Sequence, residues 1–186
     1  MDPLLIDVPE EIQTDRLSIR MPRPGEGPAV NEAVVESFAQ LHPWMPWAQT
    51  LPSVDDSELH SRRANARFRL REDLSFRGWL SGTDTYVVGS GLHRIDWSVP
   101  RFEIGYWCRT SLVGQGYVSE VVLALTALAF DRLNAKRVEI RTDESNQRSR
   151  RVAERCGFTC EGTLRCDSRS PDGLVRDTCV YAIVRR

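Results

Sequence analysis

The stretch of sequence that decides the fold is VGQGYVSE, residues 113–120. A strand-like run, residues 101–109, precedes it, and an apolar stripe at helical spacing follows from residue 121 to residue 129. Two glycines therefore stand in a loop between a strand and the start of a helix. The first amides of a helix lack partners within the helix, and with the helix dipole they attract anions. This loop predicts a cradle for a pyrophosphate group.

Other phosphate-binding loops fit this stretch less well. The glycines are not followed by Lys and Ser or Thr, as in a P-loop, and the third glycine of the dinucleotide-binding fingerprint is missing. Short turns at residues 82–84 and 98–100 indicate antiparallel hairpins before the loop, where a dinucleotide-binding fold has a parallel unit. A tight turn without a ligand is the alternative interpretation of the two glycines taken alone.

Turn signals and periodicity on both sides of this loop predict one mixed α/β domain over residues 1–186. We expect a mostly antiparallel sheet of six to seven strands with about four helices, and residues 55–57 offer N-cap side chains for the second helix. The predicted strands and helices, in chain order, are residues 16–20, 28–41, 55–72, 74–80, 85–94, 101–109, 117–133, 137–141, 147–156, 158–168 and 174–184.

Composition argues against several classes of protein. The 25 basic and 26 acidic side chains give a net charge of −1, which provides no general attraction to nucleic acid or to a lipid surface. The longest apolar run, residues 121–130, is about half of what a membrane-spanning helix needs, and the N-terminus lacks the features of a secretory signal. We therefore expect a cytoplasmic protein. The cysteines form no C-x-x-C pair and lie far from the histidines, so we expect no metal site.

Three motifs occur in order along the chain: EIGYW at residues 103–107, GQGYVSE at residues 114–120, and a segment at residues 146–158 that begins NQRS and ends RCGF. Together they resemble the GNAT superfamily of N-acetyltransferases, and more narrowly its RimJ/RimL-like branch. The resemblance begins at residue 14 and also includes a tryptophan-rich loop, WMPW at residues 44–47. It implies that two central parallel strands splay apart and receive the pantetheine arm of acetyl-CoA.

The resemblance also implies which residues hold acetyl-CoA. In the family signature, Gln/Arg-x-x-Gly-x-Gly/Ala, only the central glycine matches, because Val113 and Val118 occupy the flanking positions. Since the cradle works mainly through backbone N–H groups, we expect binding to survive both changes. Asn146 takes the position of a contact with the cofactor amide and of a helix N-cap. The implied cofactor-binding residues are Trp107, Cys108, Val113, Gly114, Gln115, Gly116, Tyr117, Val118, Ser119 and Asn146.

Acetyl transfer from a thioester to an amine requires a base, a donor to the oxyanion and a proton donor to the leaving thiolate. By family position, Glu103 is the candidate base and Ser149 the candidate proton donor. An arginine-paired carboxylate and an ordinary serine in a first helical turn are the structural alternatives. Three tryptophans, which can equally serve packing, are candidate acceptor-binding residues. They are Trp44, Trp47 and Trp97.

The sequence therefore predicts an N-acetyltransferase with acetyl-CoA as cosubstrate, acting on a peptide N-terminus or a small-molecule amine as a monomer or homodimer. The alternative is a catalytically weak acetyl-CoA-binding module that serves as a sensor or a partner's subunit. Nucleic-acid binding through the arginines of residues 148–155 is disfavoured, because no aromatic platform accompanies them. The acceptor's identity stays open, as does any contact of Arg148, Arg150 and Arg151 with the CoA phosphates.

Overall fold

The computed structural model describes residues 2–185 and is built on one eight-stranded sheet. Along the sheet the strands follow the order β1-β2-β3-β4-β5-β6-β8-β7, and only β5 and β6 are parallel neighbours. The strands are β1 (Glu11–Gln13), β2 (Leu17–Arg20), β3 (Leu74–Leu80), β4 (Tyr86–Asp96), β5 (Arg101–Cys108), β6 (Arg137–Asp143), β7 (Thr159–Arg169) and β8 (Val175–Val184). The helices are α1 (Gly27–Leu41), α2 (Val54–Arg69), α3 (Tyr117–Asp131) and α4 (Gln147–Arg155).

The predicted mixed α/β class is confirmed, with differences at the ends of elements. The eighth strand is β1, whose three residues are too few to show an alternating pattern. Helix α2 is capped by Ser53, which forms a capping box with Asp56, so the predicted cap at residues 55–57 is wrong. The same helix ends three residues before the predicted end at residue 72. Arg71, with φ of 60°, has already left the helical conformation there.

Helices cover both faces of the sheet, and each face has its own core. Helix α3 packs on one face, where Val121 and Leu125 belong to the same buried cluster as Ile104 of β5. Helix α1 packs on the other face, where Val34 joins a second cluster with Trp79. Because side chains alternate along a strand, β5 contributes to both faces and lies between the two layers.

Strands β5 and β6 stay paired over a short distance only. Their register comprises three pairs, from Arg101↔Arg137 to Glu103↔Glu139, although β5 continues to Cys108 and β6 to Asp143. Beyond the third pair the two strands separate, which confirms the predicted splayed pair. The backbone edge of β5 that faces this gap is left without a strand partner on that side.

Candidate functional site

The glycine loop presents the first amides of α3 without a side-chain cap. Gly114 and Gly116 both have φ of +85°, a left-handed conformation that favours glycine, and Gly116 is the N-cap residue of α3. A glycine at this position offers no oxygen to the following amides. Val113 is about half exposed at the entrance of the loop, and Val118 packs against the main core. The loop can therefore bind an anion through its backbone, as the sequence predicts.

A polar network holds this loop against the beginning of β2. The Arg16 guanidinium donates to Glu120 Oε2 at 2.7 Å and to the Gln115 carbonyl at 2.9 Å. Thr14 Oγ1 donates to the other Glu120 oxygen at 2.6 Å, and Arg16 lies over the Tyr117 ring. Burial raises the pKa of Glu120, but these hydrogen bonds outweigh burial and hold it below its usual value. Sequence reasoning missed this network, because about a hundred residues separate its members.

Across the gap between β5 and β6, Tyr106 reaches the start of α4. Its hydroxyl donates to the Ser149 carbonyl at 2.9 Å and lies 3.0 Å from Ser149 Oγ. Asn146 caps the helix by accepting from the Ser149 amide at 3.1 Å, as predicted. Burial raises the pKa of Tyr106 well above its usual value, so the phenol keeps its proton at neutral pH. The gap thus carries two neighbouring hydroxyl groups, of which the sequence indicated one.

Cys108 and Trp107 end β5 on opposite faces. Burial raises the pKa of the Cys108 thiol to about 11, so the thiol is neutral at physiological pH. Trp107 points to the other face, where its ring packs against Trp47 at 6.0 Å and Tyr86 at 5.4 Å between centroids. A Cβ at Gly89 would lie 2.1 Å from the Trp107 indole nitrogen, so only glycine allows this packing.

A cavity of about 670 Å³ opens on this second face, between the sheet and helices α1 and α2. Its lining includes a histidine–carboxylate pair, because Nδ1 of His93 lies 2.7 Å from Oδ2 of Asp73. Burial raises the pKa of Asp73, but hydrogen bonds from His93 and Ser75 outweigh burial and lower it overall. This pair was not predicted from the sequence, where the histidines enter only as possible metal ligands. Residues that line the cavity include Trp47, Asp73, Tyr86, His93, Gly105 and Trp107.

Glu103 is the last residue of β5 that pairs with β6, where its register partner is Glu139. On the other side of β5, its partner on β4 is His93. Its side chain is mostly buried, and its Oε2 atom has no hydrogen bond although Arg94 lies 3.4 Å away. Burial raises the pKa of Glu103, and the nearby Arg94 and Arg141 oppose that effect. A buried carboxylate whose pKa is raised accepts a proton more readily than an exposed carboxylate does.

The other two tryptophans of the sequence analysis lie elsewhere. The Arg176 guanidinium lies over the Trp44 ring, and Trp44 lines a second cleft with Asn146 and Arg148. Trp44 therefore faces the start of α4. Trp97 packs edge-on against Phe102 at 5.3 Å, and its indole nitrogen donates to the Arg71 carbonyl. Only Trp47 is brought to the large cavity, and the structure assigns Trp97 a packing position outside it.

The three arginines at the start of α4 are not equivalent. Arg150 donates to the Tyr181 hydroxyl and to the Glu144 carbonyl, and so it serves the fold. Arg148 and Arg151 form no ion pair with any residue between 2 and 185. In that same range no group of three or more His, Cys, Asp or Glu side chains is placed to hold a metal ion. No helix within residues 2–185 combines the length and the apolar character that crossing a membrane requires.

Comparisons with known proteins agree with this geometry. The family described as "Acetyltransferase (GNAT) domain" matches residues 16–159. A Bacillus subtilis protein, provisionally named a ribosomal N-acetyltransferase, is 28% identical over 178 residues, which cover 92% of this chain and 93% of that protein.

Two solved structures have closely similar folds. RimL, a ribosomal L7/L12 α-N-protein acetyltransferase in complex with coenzyme A, has a TM-score of 0.87 at 24% identity and covers 94% of this chain and 98% of its own. The microcin C7 self-immunity acetyltransferase MccE, in complex with acetyl-CoA and AMP, has a TM-score of 0.89 at 21% identity. The match covers 96% of this chain and 98% of the MccE chain. Because the family match spans well over half of the sequence, this chain belongs to the GNAT acetyltransferase family, as its three motifs predicted.

Proposed function

We propose that this protein transfers an acetyl group directly from acetyl-CoA to the primary amine of a peptide N-terminus or a small molecule. The observation that carries the proposal is the position of β5 between two candidate sites. One is the glycine loop with the gap between β5 and β6, and the other is the cavity under α1 and α2. A thioester held in the gap can meet an amine in the cavity beside residues 103–107.

The donor side can hold acetyl-CoA mainly through backbone groups. In this proposal the amides of residues 114–119 bind the pyrophosphate, and main-chain groups of Trp107 and Cys108 pair with the pantetheine arm in the gap. Asn146 contributes a further contact with the arm. The replacement of two signature residues by valine leaves these backbone groups in place.

Two side chains are proposed to act on the reaction itself. Glu103 takes a proton from the attacking nitrogen, which its mostly buried carboxylate and raised pKa favour. Ser149 donates a proton to the CoA thiolate as the C–S bond breaks. The hydroxyl of Tyr106, bonded to Ser149, supports that role by keeping the serine oriented.

Relatives favour a peptide acceptor, while a small molecule stays within the proposal. RimL is described as acting on the α-amine of ribosomal L7/L12, and the Bacillus relative carries a ribosomal name. The structure of MccE contains AMP beside acetyl-CoA, which keeps a small nucleotide-like amine among the candidates. The aromatic wall formed by Trp47 and Trp107 can pack against an apolar part of either acceptor.

A CoA-release assay tests the proposal. Purified protein is incubated with acetyl-CoA and four kinds of amine: peptide N-termini, amino-acid derivatives, polyamines and aminoglycoside or peptide antibiotics. We expect CoA release above background with at least one kind, and mass spectrometry should show that amine carrying one acetyl group. Acetyl-CoA binding by calorimetry, without release for any amine, would instead favour the catalytically weak binding module.

A further inference from the structure

The bonded pair in the cavity leaves one nitrogen of His93 free. A carboxylate only accepts hydrogen bonds, so the hydrogen on the imidazole lies on Nδ1, where Asp73 accepts it. Ser75 Oγ donates to Asp73 at 2.6 Å and so fixes the carboxylate. In the neutral imidazole Nε2 carries the lone pair, and this atom has no hydrogen-bond partner among residues 2–185. This is the arrangement of a histidine base oriented by a carboxylate.

Two glycines bring this imidazole against β5. A Cβ at Gly91 would lie 2.5 Å from Cε1 of His93, and a Cβ at Gly105 would lie 3.3 Å from its Cδ2. The ring therefore lies across the backbones of β4 and β5 and lines the cavity. Gly105 belongs to the part of β5 that no longer pairs with β6. His93 thus stands where the acceptor amine would meet the thioester.

Transfer to a protonated amine requires the nitrogen to lose two protons. An alkyl ammonium must lose one before its lone pair can attack, and the nitrogen loses another as the amide forms. The overall change turns an ammonium ion and acetyl-CoA into an acetylated amine, CoA thiol and one free proton. A single carboxylate, Glu103, accounts for only one of the two proton transfers.

We propose that His93, oriented by Asp73, removes the first proton from the acceptor's ammonium group, an inference that rests on the proposed transferase function. Nε2 takes that proton and releases it to water. The nitrogen lone pair then attacks the thioester carbon, so that the C–N bond forms and the C–S bond breaks. Glu103 takes the second proton and releases it to water, and the sulfur takes the hydroxyl proton of Ser149, which water replaces. Asp73 is a positioning residue, because it acts only through His93.

Charged side chains of both signs lie around His93 in the cavity. The other cavity-lining residues with titratable or charged side chains are Asp56, His60, Arg63 and Arg67 of α2, Asp73 before β3, Arg77 of β3, Tyr86 of β4 and Tyr106 of β5. Glu103 does not line the cavity, but it is the register partner of His93.

The test compares His93→Gln with Glu103→Gln at two pH values. The probe is a peptide with a free N-terminal amine, whose pKa is about 8. At about pH 7, where roughly one amine in ten is deprotonated, kcat/KM of His93→Gln should fall up to about tenfold, and at about pH 9 it should return to near the wild-type value, because the amine then arrives deprotonated. Glu103→Gln should stay impaired at both pH values, since the second proton must still leave.

Asp73→Asn separates positioning from a structural role. In this variant kcat/KM should fall less at about pH 7 than in His93→Gln, and it should recover in the same way at about pH 9. Calorimetry should give an unchanged acetyl-CoA affinity for both Asp73→Asn and His93→Gln. A loss in His93→Gln that is equal at the two pH values, or no loss, would overturn the assignment and leave the transferase function intact. If wild-type protein acetylates no amine of the panel, the proposed function fails first and the inference fails with it.

Discussion

The two faces of β5 are built by different means. The donor face is the side of β5 with the glycine loop and the gap to β6, where we propose that acetyl-CoA binds. Its candidate site consists of backbone amides at residues 114–119, which the Arg16–Glu120 pair holds in place. The acceptor face is the opposite side of β5, where we propose that the amine binds in the large cavity. This cavity is lined by side chains from several distant segments, among them Trp47 and His93. Every residue type except proline supplies a backbone amide for a phosphate, whereas the choice of side chains decides which amine fits a pocket. Changes on one face should therefore leave the other face's function intact.

The largest effect expected on the acceptor face comes from Glu103→Gln. The amide keeps the size of the carboxylate but cannot take a proton, so kcat/KM should fall about 10²–10⁴-fold at neutral pH. Acetyl-CoA affinity, measured by calorimetry, should stay unchanged. Glu139→Gln is the matched control, since Glu139 is the register partner on β6 but is bonded to Arg137. Near-normal turnover in folded Glu103→Gln would refute the base assignment.

The largest effect on the donor face comes from Gly116→Asp. It adds a negative charge where the pyrophosphate should lie, so the Kd of acetyl-CoA should rise at least about tenfold. Gly173→Asp is the control for backbone strain, because Gly173 also has positive φ and lies in the distant turn before β8. Unchanged affinity in folded Gly116→Asp would mean that acetyl-CoA binds elsewhere.

Ser149→Ala tests whether the gap contributes to chemistry or only to binding. Without the hydroxyl, the leaving thiolate loses its proton donor, and kcat should fall about tenfold at unchanged acetyl-CoA affinity. In the double variant with Glu103→Gln, the increases in activation free energy should be less than additive, because both residues serve one transition state. A change in acetyl-CoA affinity alone would make Ser149 a binding residue and would place its role entirely on the donor face.

Trp47→Ala sharpens the acceptor face at smaller magnitude. Loss of the aromatic wall should raise the acceptor KM about three- to tenfold, with kcat little changed. Trp97→Ala is the matched control, because the Trp97 ring is packed against Phe102 outside the cavity. That control should lower the melting temperature and leave the acceptor KM unchanged. The opposite pattern would exchange the assignments of the two tryptophans.

The smallest effect concerns the pair that holds the donor loop. The folded state lowers the pKa of Glu120, so its ionised form stabilises the fold above its unfolded pKa of about 4.3, and that contribution disappears as pH falls through the lower folded value. Glu120→Gln should therefore lower the melting temperature by a few degrees at about pH 7, and the difference from wild type should shrink below about pH 4. A difference independent of pH would assign the effect to packing.

The same contrast explains what could be predicted from the sequence. The donor loop was predictable because its two glycines and the first turn of α3 are contiguous, so local rules of helix geometry apply. The GNAT family, acetyl-CoA as its cosubstrate and the splayed pair of strands followed from the motifs and are confirmed. The roles of Glu103 and Ser149 remain predictions.

The acceptor face could not be predicted in the same way. The His93–Asp73 pair joins β4 to the residue just before its neighbour β3 through a contact that no spacing rule reveals, and its two members lie 20 residues apart. Trp97 shows the same difficulty, because tryptophans in loops look alike in sequence whether they line a cavity or pack on a neighbour. Strand β1 was missed for a local reason, its length of three residues.

The position of acetyl-CoA in the gap between β5 and β6 is best tested by a crystal structure of the protein with bound CoA. We expect the pyrophosphate on the amides of residues 114–119, the sulfur next to Ser149, and no phosphate contact from Arg150, whose guanidinium is already bonded to Tyr181. A pyrophosphate held by Arg148 and Arg151, or a pantetheine arm outside the gap, would contradict the division of β5 into a donor face and an acceptor face.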